Sequence, residues 1–306
     1  MTAQNLEQQT DKKQADLTPE QDLYRQYDLE EDTRRSAYHY EFDPEFYYGF
    51  TGGEWNVYSA SMWEPGFTMT QAQEKKLDKM AELMRLKPGM HIMDAGCGWG
   101  GPLVYLCHKY GVSGHGITVS PKQAEAARAR AARYGVSATF EVVHWQNLPE
   151  QPTYHGIYSD EAIVHFHDLV GFFRKAHALL HAGGRMVNKE LHFTHPKHSQ
   201  MTRSMVNVNA IFGYTGNYLT VAQELNMLYE ADFELGSLYQ IALEPHYQLT
   251  ADAWLSNMYQ NREKMRALVG EETYLKFRKY LKLVRVMMGS HAWTLDIIVG
   301  DKMPVS

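Results

Sequence analysis

Residues 94 to 102 read DAGCGWGGP, with glycine at positions 96, 98, 100 and 101, and they follow the short apolar run MHIMDAG (90–96). Glycines so placed let the main chain turn tightly and approach a ligand closely. The N–H groups at the start of the helix that follows are then free to meet a negative group. The segment is therefore a strand, a turn and a helix start, and the chain must supply the rest of a sheet around it.

It does so in alternation. GHGITVS (114–120), ATFEVVHW (138–145), YHGIYSD (154–160) and GRMVNKELHF (184–193) read as strands. Helices SPKQAEAARARAARYG (120–135) and HDLVGFFRKAHALLHAGG (167–184) lie between them, and a final strand pair is expected at ELGSLYQIALE (234–244) and AWTLDIIVGD (292–301). Short links between strands and helices imply a parallel sheet covered on both faces.

Before the glycine loop, residues 1 to 17 are polar and expected to be disordered, with Thr18 capping a helix that has Pro19 in its first turn. MTQAQEKKLDKMAELMRL (69–86) places Leu77, Met80, Leu83 and Met84 at helical spacing. The division expected is a helical lid segment over 18–89 and a main domain over 90–306, with helical cap insertions near 194–232 and 250–288.

A formal charge of -6 argues against nucleic acid or an anionic bilayer as the main partner, although local basic patches are compatible with it. The run Arg128, Arg130, Arg133 reads as a solvated helix face. No stretch approaches the ~18 apolar residues of a membrane span, so stable membrane insertion is not expected. Cys97 and Cys107 form no disulfide framework, which suits a cytoplasmic setting. A homo-oligomer is left open.

A dinucleotide site would place an acid at the end of the second strand, and here that strand ends ITVS. At HYEFDPEFY, VYS, DAGCGWGG, GITVSPKQ, HW and FRKAHALLHAGGR, from about His39 to Lys302, the sequence resembles S-adenosylmethionine-dependent methyltransferases, more narrowly the cyclopropane fatty acid synthase-like family. The resemblance implies an α/β, Rossmann-like methyltransferase fold with a seven-stranded, mostly parallel sheet. It implies S-adenosyl-L-methionine as cofactor and a small-molecule methyl acceptor. Cofactor contacts carried over onto matching positions are Tyr40, Tyr58, Ser59, Asp94, Gly96, Gly98, Thr118, Val119, Gln123, His144, Trp145 and Gln146, with Gln123 on the ribose and Trp145 near the adenine.

Fatty-acid cyclopropanating members hold a bicarbonate base with a Cys, a Glu, a His and a Tyr. Ala60, Val164 and Asn188 align with the first three, and only Tyr280 is retained. The acid–base candidates are instead Glu161, Glu190, His165 and Tyr280, with Glu161 or Glu190 as a carboxylate base of raised pKa. His192, His195 and His198 in LHFTHPKHS lack a helical ligand spacing, and no metal site is expected. Residues 202–223, with Arg203, resemble isoprenoid diphosphate C-methyltransferases, for which Mg would be needed only if the acceptor is a diphosphate. The expected activity is C-methylation of an apolar isoprenoid or aromatic carbon; the alternatives are N- or O-methylation of a small molecule, or cyclopropane-type modification of an unsaturated acyl chain.

Overall fold

The computed structural model describes residues 29–38, 40, 42–201, 218–241 and 243–304. The expected tail 1–17, the Thr18–Pro19 helix start and the segment 202–217 with Arg203 lie outside the described residues.

Two short helices, α1 (Leu29–Tyr38) and α2 (Pro44–Thr51), precede α3 (Met69–Met84). Asp43 caps α2 ahead of its Pro, and Thr68 and Gln71 form a reciprocal capping box on α3. The sheet domain then runs β1 (His91–Ala95), α4 (Gly101–Tyr110), β2 (Ser113–Thr118), α5 (Pro121–Tyr134), β3 (Ala138–Val142), β4 (Tyr154–Asp160), α6 (Leu169–Leu179) and β5 (Leu180–Phe193). After β6 (Leu219–Thr220) come α7 (Val221–Glu230), β7 (Glu234–Ile241), α8 (Leu243–Gln260), α9 (Arg262–Met288) and β8 (Trp293–Asp301). Helix α9 is kinked at Gly270, whose φ of 80° and ψ of 164° interrupt the helix.

The strand order is β3-β2-β1-β4-β5-β8-β7, parallel from β3 to β5, with β8 antiparallel to both of its neighbours. The fold is the α/β arrangement expected, but the sheet has eight strands, not seven, because two-residue β6 adds beside the end of β5 at His192 and Phe193. The order reverses between β1 and β4. In open α/β sheets ligands bind outside the carboxyl ends of the strands at such a point.

Several boundaries differ from the sequence reading. β3 stops at Val142, because His144 caps a single 3₁₀ turn at Trp145–Asn147 by accepting from the Gln146 N–H. α6 ends at Leu179, so Gly183 and Gly184 fall inside β5. The final long helix pair begins at Leu243, seven residues earlier than expected.

The basic run on α5 is solvated at Arg128 and Arg133, as expected, but not at Arg130. Arg130, only 9% exposed, donates to the Glu54 carbonyl at 2.8 Å and to Asn56 Oδ1 at 2.6 Å, and Arg133 pairs with Glu54. Together they clamp the chain entering VYSASMW (57–63). The glycine loop is tied to the lid from the other side: Trp99 packs with Tyr47 at 4.8 Å between ring centres, inside a cluster that also holds Phe46, Phe50, Trp254 and Phe277. Gly101 is required there, since a Cβ would stand 1.8 Å from the Trp55 carbonyl oxygen. A Gly101→Ala protein should lose roughly 1–3 kcal/mol of stability and lift the 54–57 segment, measured by urea denaturation and by faster hydrogen exchange at Trp55.

Candidate functional site

Two adjoining cavities open at the carboxyl ends of β1, β2 and β4. The first, about 590 Å³, is lined among others by Thr118, Val119, Gln123, His144, Trp145 and His165. The second, about 510 Å³, takes Tyr58, Ser59, Asp94, Trp99, Asp160 and Glu161. Tyr40, Gly96, Gly98, Gln123 and Ala162 line both, so the two form one groove bent around the glycine loop.

Each wall has a local cause. Ser120 caps α5, and Thr118 Oγ1 donates to Gln123 Oε1 at 2.6 Å, which fixes the glutamine at the rim of both cavities. Gly96 has φ of 95°, and a Cβ there would stand 2.5 Å from that of Ala162. Buried Trp145 forms an apolar wall, and its Nε1 has no partner among the described residues. Asp94, 2% exposed, accepts from Tyr158 Oη at 2.6 Å; burial pushes its carboxyl up to about 7, where a cationic ligand group would be welcome. A flat ring, a hydroxylated sugar and a charged amino-acid end match this sequence of walls. Every expected cofactor contact except Gln146 lines the groove; Gln146 lines neither cavity.

Under the second cavity lies a charge cluster for which the sequence reading had no place. Lys76 and Lys189 are fully buried. Lys76 Nζ donates to Ser59 Oγ at 2.6 Å and to Asp160 Oδ2 at 2.5 Å, and Ser59 Oγ donates to the same Asp160 oxygen. Lys189 pairs with Asp160 at 2.9 Å and with Glu161. Burial alone would raise Asp160, but the two lysines outweigh it and hold its carboxyl down at about 2. Burial lowers Lys76 to about 8 despite Asp160 beside it. Burial also opposes the charge on Lys189, yet the two carboxylates raise it. Two positive and two negative charges close the cluster electrically, as burial demands.

Glu161, one of the two carboxylates expected as a base, is therefore paired with a lysine. It accepts from the Ala60 N–H at 2.8 Å and from Tyr247 Oη at 3.3 Å, and it sits at φ 55°, a left-handed backbone that a Glu adopts only when its surroundings fix it. The isolated carboxylate is Glu190. It is 4% exposed, accepts from the N–H groups of Val164 (3.2 Å) and Leu191 (3.0 Å), and is pushed up to about 8 by burial and by the charge of Glu161. Tyr218, Tyr247 and Tyr280 gather around the two glutamates. Burial raises all three phenols, Tyr280 to about 12, and the nearby Glu161 adds to each. Glu161, Glu190 and Tyr280 are thus brought together, whereas His165 faces the first cavity beside Phe166.

On β5 the register decides which side chains reach this chamber. Asn188, aligned with the family's His, instead donates to Glu224 of α7 at 2.8 Å, and the neighbouring Lys189 takes the position facing Asp160 and Glu161. His192 is buried between Glu224 (2.8 Å) and Asp296 (3.1 Å); burial opposes its charge, but these partners raise its pKa to about 10. It points away from the exposed His195, and among the described residues no group of three His, Cys, Asp or Glu could hold a metal ion.

Comparison with known proteins agrees with this geometry. Residues 27–295 match the family model described as mycolic acid cyclopropane synthetase. A "Probable fatty acid methyltransferase" of Pseudomonas putida is 25% identical over 262 residues, 84% of this chain, which spans just under two thirds (66%) of that relative's length. Cyclopropane mycolic acid synthase 1 of Mycobacterium tuberculosis is 28% identical over 266 residues, covering 79% of this chain and 88% of the relative. The solved structure of the mycolic acid cyclopropane synthase CmaA1 complexed with SAH and CTAB superposes with a TM-score of 0.80 at 25% identity, covering 88% of this chain and 98% of that one.

Two outcomes test the site. Asp94→Asn should weaken S-adenosylmethionine binding roughly ten- to a hundredfold by isothermal titration, and wild-type affinity should fall as pH drops below about 7. Lys189→Met leaves Glu161 without its lysine and Asp160 with Lys76 alone, and should cost about 3–5 kcal/mol in denaturant unfolding, whereas Lys282→Met on the surface should cost next to nothing.

Proposed function

Because the chain belongs to the mycolic acid cyclopropane synthetase family and is an S-adenosylmethionine-dependent methyltransferase, we propose that its acceptor is an unsaturated acyl chain and that Glu190 takes the proton released after methyl transfer. When bound, the cofactor supplies an electron-poor methyl group on sulfur. The observation that carries the proposal is the buried cluster of two carboxylates and three tyrosines that adjoins the cofactor groove at Glu161.

An alkene carbon that accepts a methyl leaves the acceptor positively charged until it sheds a proton. Phenol rings and buried carboxylates stabilise such a charge. Glu190 is suited to receive the proton: two main-chain N–H groups orient its oxygens, no lysine among the described residues pairs with it, and a pKa of about 8 makes it a stronger base than an ordinary carboxylate. Glu161, pinned by Lys189 and Ala60, contributes a fixed negative charge. The carbon that gives up the proton decides between a three-membered ring and a methyl branch. Tyr58 packs on Trp254 at 5.3 Å between ring centres, in the same aromatic cluster as Trp99.

The acids named for the relatives, fatty and mycolic, favour an acyl chain over the isoprenoid or aromatic carbon that the sequence reading put first. Labelled methyl supplied in parallel to a monounsaturated phospholipid, an isoprenyl diphosphate, an indole and an amine should appear on the lipid chain; label on a heteroatom alone would overturn the proposal. The rate should rise with pH through about 8 as Glu190 ionises. Glu190→Gln should abolish that limb and slow turnover roughly 10²- to 10⁴-fold while leaving cofactor affinity intact.

A further inference from the structure

The final helix pair has an outer face that the reaction does not use. Between residues 273 and 290 the sequence TYLKFRKYLKLVRVMMGS holds Lys276, Arg278, Lys279, Lys282 and Arg285 and no acid, in a chain of net charge -6. The inner side of this half of α9 is core, with Tyr274, Phe277, Leu281, Val284 and Met288 at most 5% exposed. Its outer side carries Leu275, Lys279, Lys282 and Val286 at spacings of four, three and four, one stripe of the helix. Leu275 is 39% and Val286 67% exposed, which is unusual for apolar groups beside lysines in the middle of a solvated surface.

Two of the five cations have acidic partners, Lys276 with Glu272 and Arg285 with Asp252 of α8. Arg278, Lys279 and Lys282 have none among the described residues. On α8, Leu249, 40% exposed, lies one turn before Asp252 and borders the same face.

We propose that this face of α9, with Leu249 at its edge, docks the protein on an anionic phospholipid bilayer. Basic side chains meet the negative headgroups while leucine and valine enter the headgroup boundary, the mode of an interfacial helix. Among the described residues no helix could cross a membrane, so the contact is a surface one. The overall negative charge does not forbid it, because repulsion from groups farther than ~8 Å is largely screened at physiological salt. Tyr280 lies on the same helix, so one element joins the bilayer face to the acceptor chamber.

Vesicle co-sedimentation of the full chain, without turnover, tests this independently of the acceptor's identity. Binding is expected to vesicles of phosphatidylcholine mixed with phosphatidylglycerol, to be released by salt, and to be absent with phosphatidylcholine alone. A Lys279→Glu, Lys282→Glu double variant should bind at least about tenfold more weakly, with cofactor titration unchanged as proof of folding. Val286→Ser should weaken binding without altering its salt dependence. Equal binding to both vesicle types, no binding by the wild type, or an undiminished double variant would overturn the proposal. So would equally tight binding of a single-stranded oligonucleotide at the same salt.

Discussion

Four buried charges, Lys76, Lys189, Asp160 and Glu161, hold together three separate parts of the chain from inside the fold. Lys76 comes from α3, Asp160 and Glu161 from the end of β4, Lys189 from β5. Through them the lid segment is fastened to the sheet: Ser59 by its hydroxyl to Asp160, Ala60 by its N–H to Glu161. The next residues are fastened to the cap, since Ser61 N–H and the Trp63 indole both donate to Thr250. VYSASMW is therefore a splice between three units, and its position over the groove follows from hydrogen bonds at each residue from Ser59 to Trp63. Breaking any one charge leaves another unpaired in a low dielectric, so the cluster acts as a unit.

This cluster also explains how two glutamates 29 residues apart come to differ. Glu161 is anchored by a lysine; Glu190 has only main-chain donors among the described residues and feels the charge of Glu161 as a repulsion. Environments that push neighbouring carboxylates apart define acid–base roles. Ala60 and Val164, two of the positions at which the resemblance would put bicarbonate ligands, donate their N–H groups to Glu161 and Glu190.

Much of the fold was legible because its signals are local. The glycine loop, the Thr118–Gln123 pair and the β4 boundaries follow from short-range backbone needs, and all were found where the residues pointed. The seventh-to-eighth strand difference was not, because two residues at Leu219 have no periodicity to read. Nor was the charge cluster. Lys76 lies four before Met80 and seven before Leu83, on the buried stripe of α3, and Lys189 interrupts an apolar strand; each was a readable anomaly, but only tertiary contact shows that they share partners.

The account turns on the protonation state of one carboxyl. Difference infrared spectroscopy, subtracting Glu190→Gln from wild type across a pH series, measures it directly. A protonated carboxyl band present at neutral pH and disappearing near pH 8 is the predicted result. A Glu190 that is already ionised at pH 6 would contradict it, and with it the assignment of the base.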